Sequence, residues 1–236
     1  MKLINKMQIN EEIMFDKNAI INLNKPTGMS SFFAVKKVAR LLGVKKAGHM
    51  GTLDPLGTGV LLVGVNKGTK LFDEYLKKIK TYIAVFHFGY ETDTLDSEGS
   101  IIKSCEVDIS RHQIEKILPS FLGKQNQMPP AFSAKKINGQ KACDLARKGK
   151  AVELKPKEIE IYNIRLLREF SYNNFQFEIT CSSGTYIRSI CRDLAGALST
   201  CGTMLSIIRT KCGGFSIDNS CTLHDIEQGK ISYLEL

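Results

Sequence analysis

The stretch AGHMGTLDPLGTGVL, Ala47 to Leu61, constrains this chain more than any other. Four glycines, one proline and one histidine surround a single acid, Asp54, just before the apolar run VLLVGV at 60–65. Such a run, bounded by turn residues, reads as a buried strand. Pro55 disfavours the helical region for Asp54, so its backbone is expected to be extended. Glycines on both sides strip away side-chain bulk and would let a large substrate approach. That suits a nucleophilic or acid–base aspartate. The plainer alternative is an ordinary turn, with glycines supplying positive φ and Pro55 stiffening the corner. A phosphate loop fits poorly. The Walker pattern needs four residues between its glycines, GVNKGTK has three, and GTLDPLG carries an acid where phosphate would be repelled.

Elsewhere the periodicities alternate between strand and helix. Residues 1–18 read as a poorly ordered extension, and Ala19 to Leu23 as a short strand. Ser30 or Ser31 can cap a helix over 32–42, which Gly43 ends. Thr69 is expected to cap a second helix, with Leu71, Phe72, Tyr75, Leu76 and Ile79 on its apolar face. KTYIAVFHFGYET alternates as a strand, TDTLDSEGS is a polar turn, and Ser110 opens a helix. Asp93 and Asp96 in that turn have the wrong spacing for a calcium loop. A short helix ending at Gly149, strands near 157–168 and 174–181, a helix over about 185–199 and a last strand over about 203–209 complete the reading. Strands come in groups, without the regular alternation of a parallel sheet. The expected class is α+β, with a mixed, largely antiparallel sheet and helices packed around it.

An aspartate presented by the 47–61 loop needs a partner to aim it. CSSGTYIRSICRDL, 181–194, reads as strand, tight turn and helix. Arg188 falls in the first helical turn, where the helix dipole opposes a cation, so it gains from pairing with an acid. Reaching solvent is its alternative, and Arg192 reads equally well as a solvated basic face. Tyr186 could pack in the core or lend its ring to a base. Tyr82 and His49 read individually as a strand aromatic and a polar loop residue. Lys25 could be surface charge or a phosphate contact.

Thirty-three basic residues against 24 acids leave a formal charge of +9, which favours an anionic partner such as nucleic acid. Lysine-rich genomes produce the same imbalance. Seven cysteines form no CxxC pair, so free thiols in a reducing cytoplasm are expected. Only Cys221 with His224 offers close zinc ligands, and no metal site is expected. No apolar run reaches membrane-spanning length, and the N-terminus has no signal-peptide core.

Taken in order, NKPTGMSS, AGHMGTLDPLGTGVL, KTYIA, GYETDTLDSEG, QMPPAFSAKKINGQKACDLARKG and CSSGTYIRSICRDL resemble the TruB-type tRNA pseudouridine synthases, over about residues 19–225. The resemblance implies a pseudouridine synthase catalytic domain over 19–236 after an N-terminal extension, 1–18. It implies isomerisation of the uridine at position 55 in the T-arm loop of tRNA, without a cofactor. A cytoplasmic location is the default expectation from the sequence, and a monomer with no obligate protein partner is the simplest one. Asp54 matches the catalytic aspartate and Arg188 the arginine that salt-bridges it. His49 and Tyr82 match positions that hold a flipped-out uracil, and Tyr186 a substrate contact. Lys25 and Pro26 match a segment that supports the active-site loop. Ile207 in IIRT offers an apolar contact to the uracil, while Ile208 replaces an arginine. The C-terminal RNA-binding domain of the PUA type is expected to be absent. A tRNA-folding chaperone, or a synthase for another uridine, remain the alternatives.

Overall fold

The computed structural model describes residues 5–8, 15–133, 136–137, 140–141, 154–170 and 173–236. Its strands are β1 (Asn5–Gln8), β2 (Ala19–Lys25), β3 (Ala47–His49), β4 (Thr58–Val65), β5 (Lys80–Phe88), β6 (Tyr90–Thr92), β7 (Ile101–Ser104) and β8 (Gly123–Gln127). The later strands are β9 (Lys136–Ile137), β10 (Gln140–Lys141), β11 (Lys157–Phe170), β12 (Asn174–Cys181), β13 (Gly202–Cys212), β14 (Phe215–Ser216) and β15 (Lys230–Glu235). The described α-helices are α1 (Ser31–Leu41), α2 (Phe72–Leu76), α3 (Arg111–Ile117), α4 (Ile187–Ala197) and α5 (Leu223–Glu227). The class is α+β, with mixed but mostly antiparallel pairing, as expected. The chain divides into two compact units, one of residues 1–82 with 207–236, the other of residues 83–206.

In the first unit the strand order is β1-β15-β2-β4-β13, with β3 also on β4 and β14 on β13. β2 and β4 are antiparallel, and β13 joins β4 in parallel, setting Arg209 beside Gly59. Period-two alternation splits the apolar residues between two cores. Ile21, Leu23, Leu61 and Val63 pack with Val35 and Val38 of α1. Ile20, Val60 and Leu62 pack with Met50 and Phe215. Both faces of β4 are therefore buried, which is why its sequence is an unbroken apolar run.

Local chemistry set several boundaries as expected. The Ser30 side chain accepts from Phe33 N–H and caps α1. Ser110 and Gln113 form a capping box at α3. Other expectations fail. The segment read as a poorly ordered extension contributes β1, which pairs antiparallel with β15, and Phe15 is buried against the ring of Tyr233. β15 and α5 lie beyond what was read as the last strand, being too short to show a periodicity. Thr69 caps no α-helix: it sits inside a 3-10 turn, and its hydroxyl donates to Asn66 O at 2.8 Å. Phe72 and Ile79, expected on an inward face, are 41% and 46% exposed. The KTYIAVFHFGYET strand breaks at Gly89, whose φ of +123° suits glycine alone.

In the second unit β5, β12, β11 and β8 lie in that order, and β11 pairs antiparallel with both neighbours. Ring pairs Phe86–Phe177 and Phe88–Phe175, at 4.9 and 5.5 Å, stack in its core. α4 turns Ile187, Ile190, Cys191 and Leu194 inward. Two hairpins, β6–β7 and β9–β10, complete it. The helix expected to end at Gly149 lies outside the described residues. Cys105 and Cys201 are disulfide-bonded, which corrects the free-thiol expectation at those two positions. Cys181, Cys191, Cys212 and Cys221 are buried. No helix among the described residues is long and apolar enough to cross a membrane.

Candidate active site

Asp54 opens a tight turn. Its carbonyl accepts from Gly57 N–H at 2.9 Å, with Pro55 at the position where a fixed φ favours the turn. The side chain is half-buried. Three buried polar side chains hold the surrounding backbone. The Ser31 hydroxyl, on the first turn of α1, donates to Leu53 O at 2.7 Å and accepts from Leu53 N–H at 2.9 Å. Lys25 Nζ donates to Pro26 O, Met29 O and Pro55 O at 2.8, 2.6 and 3.2 Å. Arg209 donates from Nε to Val60 O at 2.6 Å, and from its terminal nitrogens to Thr52 O and Gly51 O at 3.3 Å each. The NKPTG turn adds Gly28 N–H to Pro55 O at 2.9 Å and the Thr27 hydroxyl to Leu56 O at 3.1 Å. Backbone carbonyls from Gly51 to Leu56 thus meet fixed donors on several sides. The loop is preorganised despite its glycines.

Lys25 is 0% exposed, so it buttresses the loop. That corrects its reading as surface charge or a phosphate contact: an ammonium sealed under three carbonyls cannot reach a ligand. The glycines also do different work from that expected. A Cβ on Gly57 would meet Leu53 and Ile207, and one on Gly59 would strike the Arg209 backbone. Those two make room for the protein's own packing. Of the four glycines in the 47–61 loop, Gly48 alone has no described atom within 4 Å of where a Cβ would sit.

Lys25, His49, Asp54, Tyr82 and Ile207 belong to the first unit, and Tyr186 and Arg188 to the second. Tyr82 and Ile207 are each 7% exposed. His49 ends β3, opposite Val63 of β4. Burial, and secondarily the Arg209 charge, push its pKa down, so the ring is held neutral.

Tyr186 immediately precedes α4. Its N–H donates to Gln127 Oε1 at 2.8 Å, and its carbonyl accepts from Gln127 Nε2 at 3.0 Å. Arg188 is buried, which removes the reading in which it reaches solvent. It ion-pairs with Asp96 at 3.3 Å and donates to Thr94 O at 2.8 Å and Phe132 O at 3.0 Å. Arg192 is half-buried, bonded to Asp193 and to Met128 O. The TDTLDSEG turn is indeed tied by its own polar side chains: Asp96 accepts from the Thr94 hydroxyl and from Glu98 N–H. Among the described residues no group of His, Cys, Asp and Glu could hold a metal ion.

Sequence reasoning missed Ser31, Arg209, Gln127 and Asp96. Ser31 and Arg209 stand inside motifs already singled out, NKPTGMSS and IIRT, yet neither has a local pattern that announces its partner. Asp96 carried one usable signal. A first-turn arginine that is buried requires an acid, and TDTLDSEG holds several.

Residues 39–187 match the model of the TruB family pseudouridylate synthase N-terminal domain. The tRNA pseudouridine synthase B of Clostridium novyi (strain NT) is 42% identical over 216 residues, covering 91% of this chain and 74% of that protein. The protein of the same name from Nostoc sp. (strain PCC 7120 / SAG 25.82 / UTEX 2576) is 42% identical over 211 residues, covering 88% and 71%. Among solved structures, a chain from a Cbf5-Nop10-Gar1 complex superposes with a TM-score of 0.70 at 27% identity. That match covers 95% of this chain, which spans 62% of the solved chain's length.

Proposed function

Because the chain belongs to the TruB family of pseudouridylate synthases, we propose that it isomerises uridine to pseudouridine at position 55 in the T-arm loop of tRNA, with Asp54 as the reacting carboxylate. The observation that carries this reading is the clamped Asp54 loop. Ser31, Lys25 and Arg209 fix the backbone on either side of one half-buried acid. Catalysis by a positioned carboxylate depends on such preorganisation.

The reaction breaks the bond from ribose C1′ to uracil N1 and joins C1′ to uracil C5. The C5 proton leaves and N1 gains one, so oxidation state is unchanged and no cofactor is called for. A base stacked in a folded loop is out of reach and must be extruded first. Asp54 either attacks C1′ or removes the neighbouring C2′ proton to give a glycal. Tyr82 is assigned to stack on the uracil, and His49, Tyr186 and Ile207 to contact it. Arg188 is assigned as the cation that orients Asp54. Its own guanidinium is steadied by Asp96, Thr94 and Phe132.

Tritium release from tRNA labelled at uracil C5, measured for the wild type and Asp54→Asn, tests the reading. Release by the wild type alone, with tRNA binding kept in the variant, is the expected result. Release by both proteins would remove Asp54 from the reaction, and release by neither would end the enzyme assignment. Mapping the product nucleotide decides the position: pseudouridine elsewhere than the T-arm loop would overturn that part.

A further inference from the structure

Alongside the outward face of α1 lies a groove of about 420 Å³, lined by residues including Phe32, Lys36, Lys45, Gly48, His49 and Phe72. All belong to the first unit. Phe32 is 60% exposed and Phe72 41%. Two large rings left in water beside one groove mark a surface that is covered in use. Lys36 Nζ sits 4.6 Å from the Phe32 ring centroid. Among the described residues neither Lys36 nor Lys45 has an ion-pair partner, whereas Lys37, on the same helix, pairs with Glu227. Open space borders Gly48, so none of the described residues fills the floor there.

Aromatic rings combined with unneutralised cations select one ligand chemistry: a planar base with an attached phosphate. Base–aromatic stacking tolerates any base, and lysines meet the backbone phosphate. A purely apolar peptide would leave the two ammonium groups without anions, and an acidic peptide would leave the rings without a flat partner.

We propose that this groove is a second nucleotide subsite. It takes an unpaired base of the substrate RNA that neighbours the reacting uridine, stacked on Phe32, with its phosphate on Lys36 and Lys45. His49 connects the two places, since it lines this groove and stands five residues before Asp54 in the same motif. The proposal rests on the reading of the chain as a tRNA pseudouridine synthase.

Steady-state tritium release from tRNA and the fluorescence of 2-aminopurine placed next to the target uridine in a T-arm stem–loop test it together. Phe32→Ala should raise KM roughly tenfold and leave kcat within about twofold, as loss of one stacked base implies. The 2-aminopurine quenching given by the wild type should vanish in Phe32→Ala and return in Phe32→Trp. Replacing Lys36 and Lys45 by glutamine should flatten the logarithmic salt slope of binding by about 0.7, the value for one single-strand phosphate. An active wild type with KM and quenching unchanged in Phe32→Ala would overturn the subsite and leave the enzyme reading intact. A wild type without turnover would fail the enzyme reading instead, while quenching would still report on the groove. Self-association abolished by Phe32→Ala, with KM unchanged, would give the face to a second copy of the chain and overturn the proposal.

Discussion

Ser31 and Leu53 hydrogen-bond each other twice, through one hydroxyl that donates to the leucine carbonyl and accepts from its amide. The serine is 2% exposed and the leucine 4%, so no water replaces the hydroxyl if it is removed. The first turn of α1 is thereby fastened to the residue that precedes Asp54.

Ser31→Ala strands both Leu53 groups. Each unsatisfied buried group costs about 1–3 kcal/mol, so a loss of roughly 2–6 kcal/mol is expected. Urea unfolding should show a lower midpoint at an unchanged slope. The neighbouring Ser30→Ala removes only a helix cap and should cost about 1 kcal/mol. Turnover should fall in the first variant and hold in the second. Equal turnover in both would separate the clamp from catalysis.

Lys25→Met removes a buried donor from three carbonyls, one of them Pro55 O. A destabilisation of about 3 kcal/mol is expected. The salt dependence of tRNA binding should be that of the wild type, because a fully buried ammonium neutralises no phosphate. A shallower slope in this variant would restore the phosphate-contact reading.

Arg188 uses two terminal nitrogens in two directions, one toward Asp96 and Thr94 and the other toward Phe132. A lysine has one nitrogen and no fork, so Arg188→Lys cannot keep both sides. We expect kcat to fall about a hundredfold, with tRNA affinity changed less than threefold, the signature of misplacement near the chemistry. Asp96→Asn should also lower stability, since the buried guanidinium loses the carboxylate 3.3 Å away. Equal losses of turnover and affinity in Arg188→Lys would count against the orienting role.

The His49 pKa is depressed in the fold by burial and by Arg209. The unfolded chain therefore takes up the proton first as pH falls. Stability from this group is complete above about 6.5 and is lost progressively between that value and the lower folded pKa. Unfolding midpoints measured from pH 8 to pH 5 should decline through that window, and the decline should be shallower in His49→Asn. An identical profile in the variant would assign the slope to other groups.

Burial raises the Cys221 thiol to about 11, and its Sγ lies 3.5 Å from Asn22 O. At pH 8 it stays protonated and sealed, which disfavours both alkylation and zinc binding. Iodoacetamide followed by peptide mass mapping should leave Cys221 unmodified in the native protein and label it in urea. Rapid native labelling would contradict the burial.

The sequence by itself determined those features whose causes are local. The cap at Ser30, the helix start at Ser110, the unbroken apolar run of β4 and the period-two alternation of β5 follow from neighbours a few residues apart, so pattern was enough. The ordered motifs were likewise sufficient for the family. What tertiary structure decided is which distant groups satisfy each buried polar atom. Ser31 meets Leu53 across 22 residues, Lys25 meets Pro55 across 30, and Arg209 meets Gly51 across 158. Any of many donors could have served a given carbonyl, and the choice was made only when packing excluded water. The same holds for β1, which pairs with β15 from the opposite end of the chain, and for the room at Gly57 and Gly59, which the protein fills with its own atoms. Short-range stereochemistry is written residue by residue, whereas long-range pairing is a property of the folded whole.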